Sequence, residues 1–558
     1  MRASSCINAA TSLLLATLSA ARISRRHHLN RLPSRSPKEY SRRSDTPTQE
    51  GTFQQLIDHN NPDLGTFTQH YLYNAEYYAG PGSPIVLNTP GEDVVDGFYT
   101  TNNTLPGLFA QTNNAAVIVL EHRYWGKSSP YDSLSTTNLQ YLTLENAIQD
   151  LIYFAHNVQL PFDVDGASKP TKAPWILTGC SYPGALAAWT HHLAPGTFWA
   201  YHCTSAVIEI ISDFWQYYEP IKAAMPANCS TDMQRATEKI DKVLSHGTKS
   251  QKHALKKTFG LEALAHDNDF VESILGGLQE WQGMTFARSD KPNPLYQFCD
   301  YLENMCPDKD NTTNGCRTTP PGPEGVGTGR ALDGFAKWSR EVYLPGVCAE
   351  YGYWSDNNTV ACLDMNDKNS PLYKDLAVNN TLNRQWYWFL CNEPHCRGSR
   401  TTCHSLEFWQ VSGPQDTTGI VSKYLDVEYG RMQCRNLFPR QGLHAYGLAK
   451  GRNVGQTQKK MGGGWHHVDV NTTRLMWVNG EYDPWRPATV SADARPGGPL
   501  QSTPEAPVWV IPKAAHCNDM LAEEAVVNPE LGQIVDEILA TMKAWVDEYY
   551  KGQDTRPR

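Results

Sequence analysis

The stretch Leu177-Thr178-Gly179-Cys180-Ser181-Tyr182-Pro183-Gly184-Ala185 decides the fold. A short apolar run, Trp175 to Leu177, precedes it and reads as a buried strand, while Ala185-Leu186-Ala187-Ala188-Trp189 reads as the start of a helix. Strand, Gly-x-Ser turn and helix form the setting of a nucleophile elbow, in which a sharp turn lifts the serine hydroxyl clear of a sheet. The same turn aims the backbone N–H of Tyr182 at the place where an oxyanion would form. Pro183 stands where a small residue is usual. It suits a first helical turn, whose N–H groups lack intrahelical partners, and it leaves the Tyr182 donor in place. Taken alone, the stretch is equally compatible with a Gly/Pro turn bearing a solvated serine.

Working outward, Ile85-Val86-Leu87-Asn88 reads as a buried strand ending in Thr89-Pro90-Gly91-Glu92, and Ala116 to Leu120 as another ending in Glu121-His122-Arg123-Tyr124-Trp125-Gly126. Phe67, Gln69, Tyr71 and Tyr73 alternate with their neighbours at period two, as one face of a strand does. Helical sequence runs from about Leu144 to Val158. Apolar strands alternating with helices imply a mostly parallel sheet covered on both faces, with functional groups at the carboxyl ends of the strands. After about Ser205 the pattern turns helical, with helices expected over Met233–Leu244 and Lys252–Leu275 and a Gly/Pro/Asn/Thr-rich loop from Pro307 to Arg330. Leu448 to Gly464 reads as an exposed connection. Sheet-like sequence returns with Arg474 to Val478 leading to Asp483, and with Val508 to Ile511 leading to His516. A last helix, about Pro529 to Tyr550, gathers Ile534, Val535, Ile538, Leu539, Met542, Trp545, Val546 and Tyr549 on one face.

The 558 residues suit two domains of ordinary size, or one with a large insertion. A net charge of −9 argues against a nucleic-acid binder, which needs a basic stripe. No apolar run approaches the ~20 residues of a membrane span. Residues 1–21 read as a signal peptide: Arg2, the apolar Leu13 to Leu18, then small residues up to Ala21. Residues 22–48, rich in Arg, Ser, His and Pro, cannot bury a core and are expected to be disordered or a removable pro-segment. Secretion to the extracellular space is the expected destination, with a vacuole- or lysosome-like compartment as the alternative. In either, the fourteen cysteines are read mainly as disulfides. Short spacings suggest Cys306–Cys316, Cys348–Cys362 and Cys396–Cys403. Cys180 is the first choice for a free buried thiol. Cys391, Cys396, Cys403 and His404 superficially resemble zinc ligands, but an oxidising compartment favours bridges. Sequons at Asn102, Asn228, Asn311, Asn357, Asn379 and Asn471 fit a glycosylated surface.

Ser181, Asp483 and His516 each follow a strand, in the order Ser, Asp, His that α/β-hydrolases use. Separately, Asp483 could be a turn aspartate before proline and His516 a surface histidine. Together they point to a serine hydrolase.

Four stretches carry a further resemblance: Glu121 to Gly126, Gly179 to Gly184, Asn479-Gly480-Glu481-Tyr482-Asp483-Pro484-Trp485, and His516-Cys517-Asn518-Asp519-Met520. In these the chain resembles the proline-specific serine peptidases that include prolyl carboxypeptidase and dipeptidyl peptidase II. It is most similar to the secreted acid prolyl endopeptidases of filamentous fungi, with which it shares Trp388 to Pro394, Asn471 to Arg474 and Arg495 to Leu500. Departures are Cys180 where glycine is usual, Pro183 in the elbow, and additional cysteines. The resemblance implies an α/β-hydrolase fold with a large helical cap insertion: core over 49–205 and 455–558, cap over 206–454. It implies Ser181 as nucleophile, His516 as base and Asp483 as its orienting acid. Tyr182 would supply one oxyanion donor and the loop at Gly91 the second. Trp485 would wall a proline pocket or pack under the acid turn. Ala185, one turn past Ser181, would leave room for the ring. Glu92 and Glu393 would bind a substrate amine or serve as structural acids. Expected substrates are proline-containing peptides, cut after proline, with no cofactor or metal and no nucleic-acid or membrane partner. Endopeptidase action is preferred over exopeptidase action in the same family. An esterase or lipase on the same fold, and a non-catalytic descendant, are the readings from other classes. The oligomeric state is left open.

Overall fold

In the computed structural model the described residues are 48–287, 293–306, 316–392, 406–414, 419–439, 459, 461–465 and 472–554. The expected signal peptide, the segment to residue 47, Glu393, Cys396, Cys403, His404, Asn311, Asn471 and, of the expected connection, 448–458 and 460 lie outside them.

Eight strands form one sheet: β1 (Gln49–Leu56), β2 (Thr66–Asn74), β3 (Ile85–Asn88), β4 (Ala116–Leu120), β5 (Trp175–Cys180), β6 (Ala200–Thr204), β7 (Leu475–Gly480) and β8 (Val508–Ile511). Their order is β1-β2-β4-β3-β5-β6-β7-β8. β1 and β2 pair antiparallel, β2 joins β4 antiparallel, and every pair from β4 to β8 is parallel. The central strands are buried at every position except the last of β5, Cys180, because helices cover both faces. The period-two alternation of strand side chains divides them between two cores. Ile85, Leu87, Ile118, Leu120, Trp175 and Leu177 pack with α2 (Leu144–Asn157) and α3 (Tyr182–Leu193). Val86, Val117, Ile176, Met476 and Val478 pack with α1 (Leu105–Asn113) and α4 (Pro529–Asp554). In α4 the expected face is the packed one: Val535, Ile538, Met542 and Val546 are buried, and Leu531 joins them. In β2, Phe67, Gln69, Tyr71 and Tyr73 point inward as the alternation predicts.

Between β6 and β7 the described residues hold helices and no multi-residue strand. The helix expected over Met233–Leu244 is longer, Ala227–His246. The one expected over Lys252–Leu275 is broken: Lys249–Thr258 ends before Gly260, whose φ is +78°, and Asp267–Ser273 starts afresh. Bridges Cys229–Cys299 and Cys391–Cys434 staple pairs of these helices, and the expected Cys306–Cys316 and Cys348–Cys362 are present. Cys391 is therefore no zinc ligand. Cys180 is not the free thiol either: it is bonded to Cys517, and the free one among the described residues is Cys203. Cys203 points from β6 into the core under the sheet, whereas Cys180 ends β5 at the strand tips, where Cys517 meets it. The sequon at Asn102 is also corrected. This residue is 2% exposed with its amide donating to the Tyr77 hydroxyl, so it cannot carry a glycan in the folded chain. Asn357 and Asn379 are exposed.

Candidate active site

The carboxyl ends of β5, β7 and β8 bring Ser181, Asp483 and His516 to one rim of the sheet. Ser181 caps α3 with φ 64° and ψ −130°, a conformation costly for a side-chain-bearing residue and typical of strained functional turns. Close packing holds the turn. A Cβ on Gly179 would strike Thr89 and the Pro183 backbone, and one on Gly184 would come within 2.7 Å of Thr204 O. Ser181 N–H donates to Thr204 O (3.0 Å), tying the elbow to β6. Pro183 occupies the first turn of α3, as the sequence allows.

Asp483 is fully buried. Its Oδ1 accepts from Trp485 N–H (2.8 Å) and from His516 Nδ1 (2.9 Å). That bond fixes the ring and leaves Nε2 as the available nitrogen; Nε2 is buried and has no hydrogen-bond partner. Ser181 and His516 are each 7% exposed. The Cys180–Cys517 bridge joins the residue before the serine to the residue after the histidine, with Cα atoms 6.0 Å apart.

Two of the quoted motifs do supporting work that sequence reasoning did not assign. His122 Nε2 bonds the Tyr182 hydroxyl (3.0 Å), so the Glu121–Gly126 turn braces the start of α3. Burial lowers the His122 pKa to about 4, which keeps this brace neutral. Arg123, also buried, donates from Nε to Asp150 Oδ2 (2.7 Å) and from Nη1 to the carbonyls of Ile57 and Tyr141. Beyond His516, Asp519 accepts from the Thr204 hydroxyl (2.6 Å) and faces His202 at 3.2 Å, while Asn518 Nδ2 donates to Met284 O. The run of polar residues after His516 was the only sequence signal of this anchor.

Trp485 sits in an aromatic enclosure. Its ring lies 5.3 Å from Phe214, 5.5 Å from Tyr217, 5.6 Å from Phe408 and 6.5 Å from His516. Trp485 Nε1 and the Tyr217 hydroxyl both donate to Gln282 Oε1, at 3.0 and 2.8 Å. Phe214, Tyr217, Gln282 and Phe408 belong to the segment between β6 and β7, and nothing in their spacing marked them. Beside His516 an open cleft is lined by Gly91, Glu92, Asp93, Asp96, Pro183, Gln282, His516 and Cys517, among others. Gly91 thus lies beside the elbow, where a Cβ would meet Pro183 at 3.6 Å. Burial raises the Glu92 pKa to about 8, and its carbonyl accepts from Asn383 Nδ2. Ala185 is fully buried within the core against the sheet and lines neither this cleft nor a second, smaller one beside Phe408.

Residues 54–534 match the family model described as serine carboxypeptidase S28. The chain is 36% identical over 526 residues to "Serine protease vicPb" of Bipolaris victoriae, covering 93% of each. It is 28% identical over 464 residues to "Probable extracellular serine carboxypeptidase" of Arthroderma benhamiae, covering 81% of this chain and 59% of that one. It is 25% identical over 515 residues to "Thymus-specific serine protease" of Mus musculus, covering 90% and 89%.

Proposed function

The chain belongs to the serine carboxypeptidase S28 family, and from that premise we propose that it is a secreted serine peptidase that cuts on the carboxyl side of proline within peptides, in acid. The observation that carries the reading is the Asp483–His516 bond beside a strained Ser181 elbow, with an aromatic enclosure at its flank. Ser181 attacks the scissile carbonyl. His516 takes its proton at Nε2 and returns it to the leaving amine. Asp483 holds Nδ1–H and stabilises the imidazolium. Tyr182 N–H and a backbone donor at Gly91 receive the oxyanion. Trp485 and its aromatic neighbours take the proline ring, which is compact and rigid and so loses little freedom on binding.

Two features of the cleft support endopeptidase over exopeptidase action. Among the described residues its lining includes Glu92, Asp93 and Asp96 and no Lys or Arg, a setting that favours no free C-terminal carboxylate. Glu92 in the free enzyme is protonated in acid, which weakens it as a partner for a free amino terminus. Extracellular placement is supported by the five disulfides among the described residues and by the description of the Arthroderma relative as extracellular. Digestion of a long proline-rich peptide with free and blocked ends, followed by mass spectrometry, tests the reading. Internal cuts after proline are expected. Trimming confined to termini refutes endopeptidase action, and hydrolysis of acyl esters without prolyl peptides refutes the peptidase reading.

A further inference from the structure

The Cys180–Cys517 bridge is placed unlike the others. Its half-cystines are the chain neighbours of Ser181 and His516, and both are only partly buried and line the open cleft together with His516. Cys229, Cys299, Cys348, Cys362, Cys391 and Cys434 are all buried, and the Cys306–Cys316 bridge, though partly buried too, does not line this cleft. A small reductant entering the cleft therefore meets the Cys180–Cys517 bond without any unfolding. A ring nitrogen of His516 and the two sulfurs all lie within 4.8 Å of one another. Nδ1 of that ring is held by Asp483, and Nε2 is buried without a partner.

We propose that opening this bridge with a dithiol converts the rim of the active site into a three-donor site for a soft divalent cation, held by the Cys180 and Cys517 thiolates and Nε2 of His516. The reduction balances simply. The dithiol gives two electrons and two protons, the S–S bond breaks, two thiols form, and the dithiol closes to a cyclic disulfide. The cation then displaces the two thiol protons and binds the neutral imidazole. Two thiolates and one imidazole suit zinc-like ions, with the fourth tetrahedral position left to water from the cleft. Tetrahedral sulfurs at about 2.3 Å from the metal stand about 3.8 Å apart. Side-chain rotation at Cys180 and Cys517 reaches this separation, since their Cα atoms are 6.0 Å apart. The bound ion occupies the lone pair that would take the Ser181 proton, so the enzyme is switched off. This consequence rests on the proposed role of His516, whereas the binding itself does not.

Cadmium is the probe. The full-length enzyme is treated with dithiothreitol, desalted without air, and checked by alkylation and mass spectrometry for free thiols at Cys180 and Cys517. It is then titrated with Cd²⁺ while the thiolate-to-metal ultraviolet band and peptide hydrolysis are followed. The expected result is one equivalent bound per reduced chain. kcat/KM should fall by about 10³-fold or more, as for loss of a triad base. A chelator should restore it. Enzyme with the bridge intact should show neither effect, and Cys517→Ser, confirmed folded by circular dichroism, should lose the stoichiometric band. A reduced wild-type chain carrying both thiols but giving no band overturns the proposal. Equal binding before reduction, or a bridge that opens only with loss of near-ultraviolet circular dichroism, also overturns it. The band needs no substrate, so its failure is separate from any failure of proline specificity.

Discussion

Trp485→Ala tests the proline pocket and can be worked through from the geometry. Trp485 is 4% exposed, ringed by Phe214, Tyr217 and Phe408 and hydrogen-bonded to Gln282. Truncating a tryptophan so enclosed costs about 3–5 kcal/mol of stability. The first control is therefore a melting curve showing that the variant is folded at the assay temperature. The Asp483 contact survives, because it is made by the Trp485 backbone N–H. Proline before the cut carries two ring carbons that alanine lacks, and burying each against the wall contributes about 0.8 kcal/mol. If Trp485 is the wall, its loss removes about 1.6 kcal/mol of transition-state preference for proline, or about 15-fold in the ratio of kcat/KM for matched Pro and Ala substrates. Trp485→Phe keeps a ring without the Nε1–H donor and should retain most of the preference. Equal losses on Pro and Ala substrates would refute the reasoning and make Trp485 a support of the acid turn alone.

Ser181→Ala should fold normally and lose at least about 10⁴-fold in kcat; near-normal turnover would remove Ser181 from the mechanism. Stability should fall as pH rises. Burial raises the carboxyl groups of Glu92 and Glu272 to about 8, of Glu303 and Glu524 to about 7, and of Asp269 to about 6. A raised acid contributes stability that is complete below its unfolded value and is lost as pH climbs through the folded one. The melting temperature should accordingly decline between about pH 6.5 and 8, above the range in which His122 and His191, lowered by burial to about 4, act in the opposite sense, and a rise over that range by differential scanning fluorimetry would contradict it. Mature secreted protein should begin after Ala21 or later and carry glycans at Asn357 and Asn379 but not at Asn102. Terminal sequencing and glycopeptide mapping check both, and an intact Met1 or a glycan on Asn102 would count against them.

What the sequence revealed divides along a physical line. The strands around the elbow were legible, though not their order, because the parallel strands are buried on both faces and so read as unbroken apolar runs, and because each ends in a turn whose residues are chemically distinctive. Gly179 and Gly184 could be read from the local Gly-x-Ser motif, although the contacts that exclude a side chain there come from Thr89 and Thr204 as well as from Pro183. The pairing of Cys180 with Cys517 could not. It spans 337 residues, and only the convergence of β5 and the loop after β8 at one sheet edge brings the two sulfurs together. The same holds for Phe214, Tyr217, Gln282 and Phe408. Each is an ordinary apolar or polar residue in its own helix or loop, and it becomes part of the enclosure around Trp485 only when the segment between β6 and β7 folds back over that ring. Asn102 failed in the other direction: a three-residue sequon says nothing about burial, and the packing around Tyr77 closes it off. The residues proposed for bond breaking therefore lie in stretches that local sequence can identify. The residues proposed for choosing the substrate are assembled by tertiary packing, which is why the reaction class was readable before the pocket was.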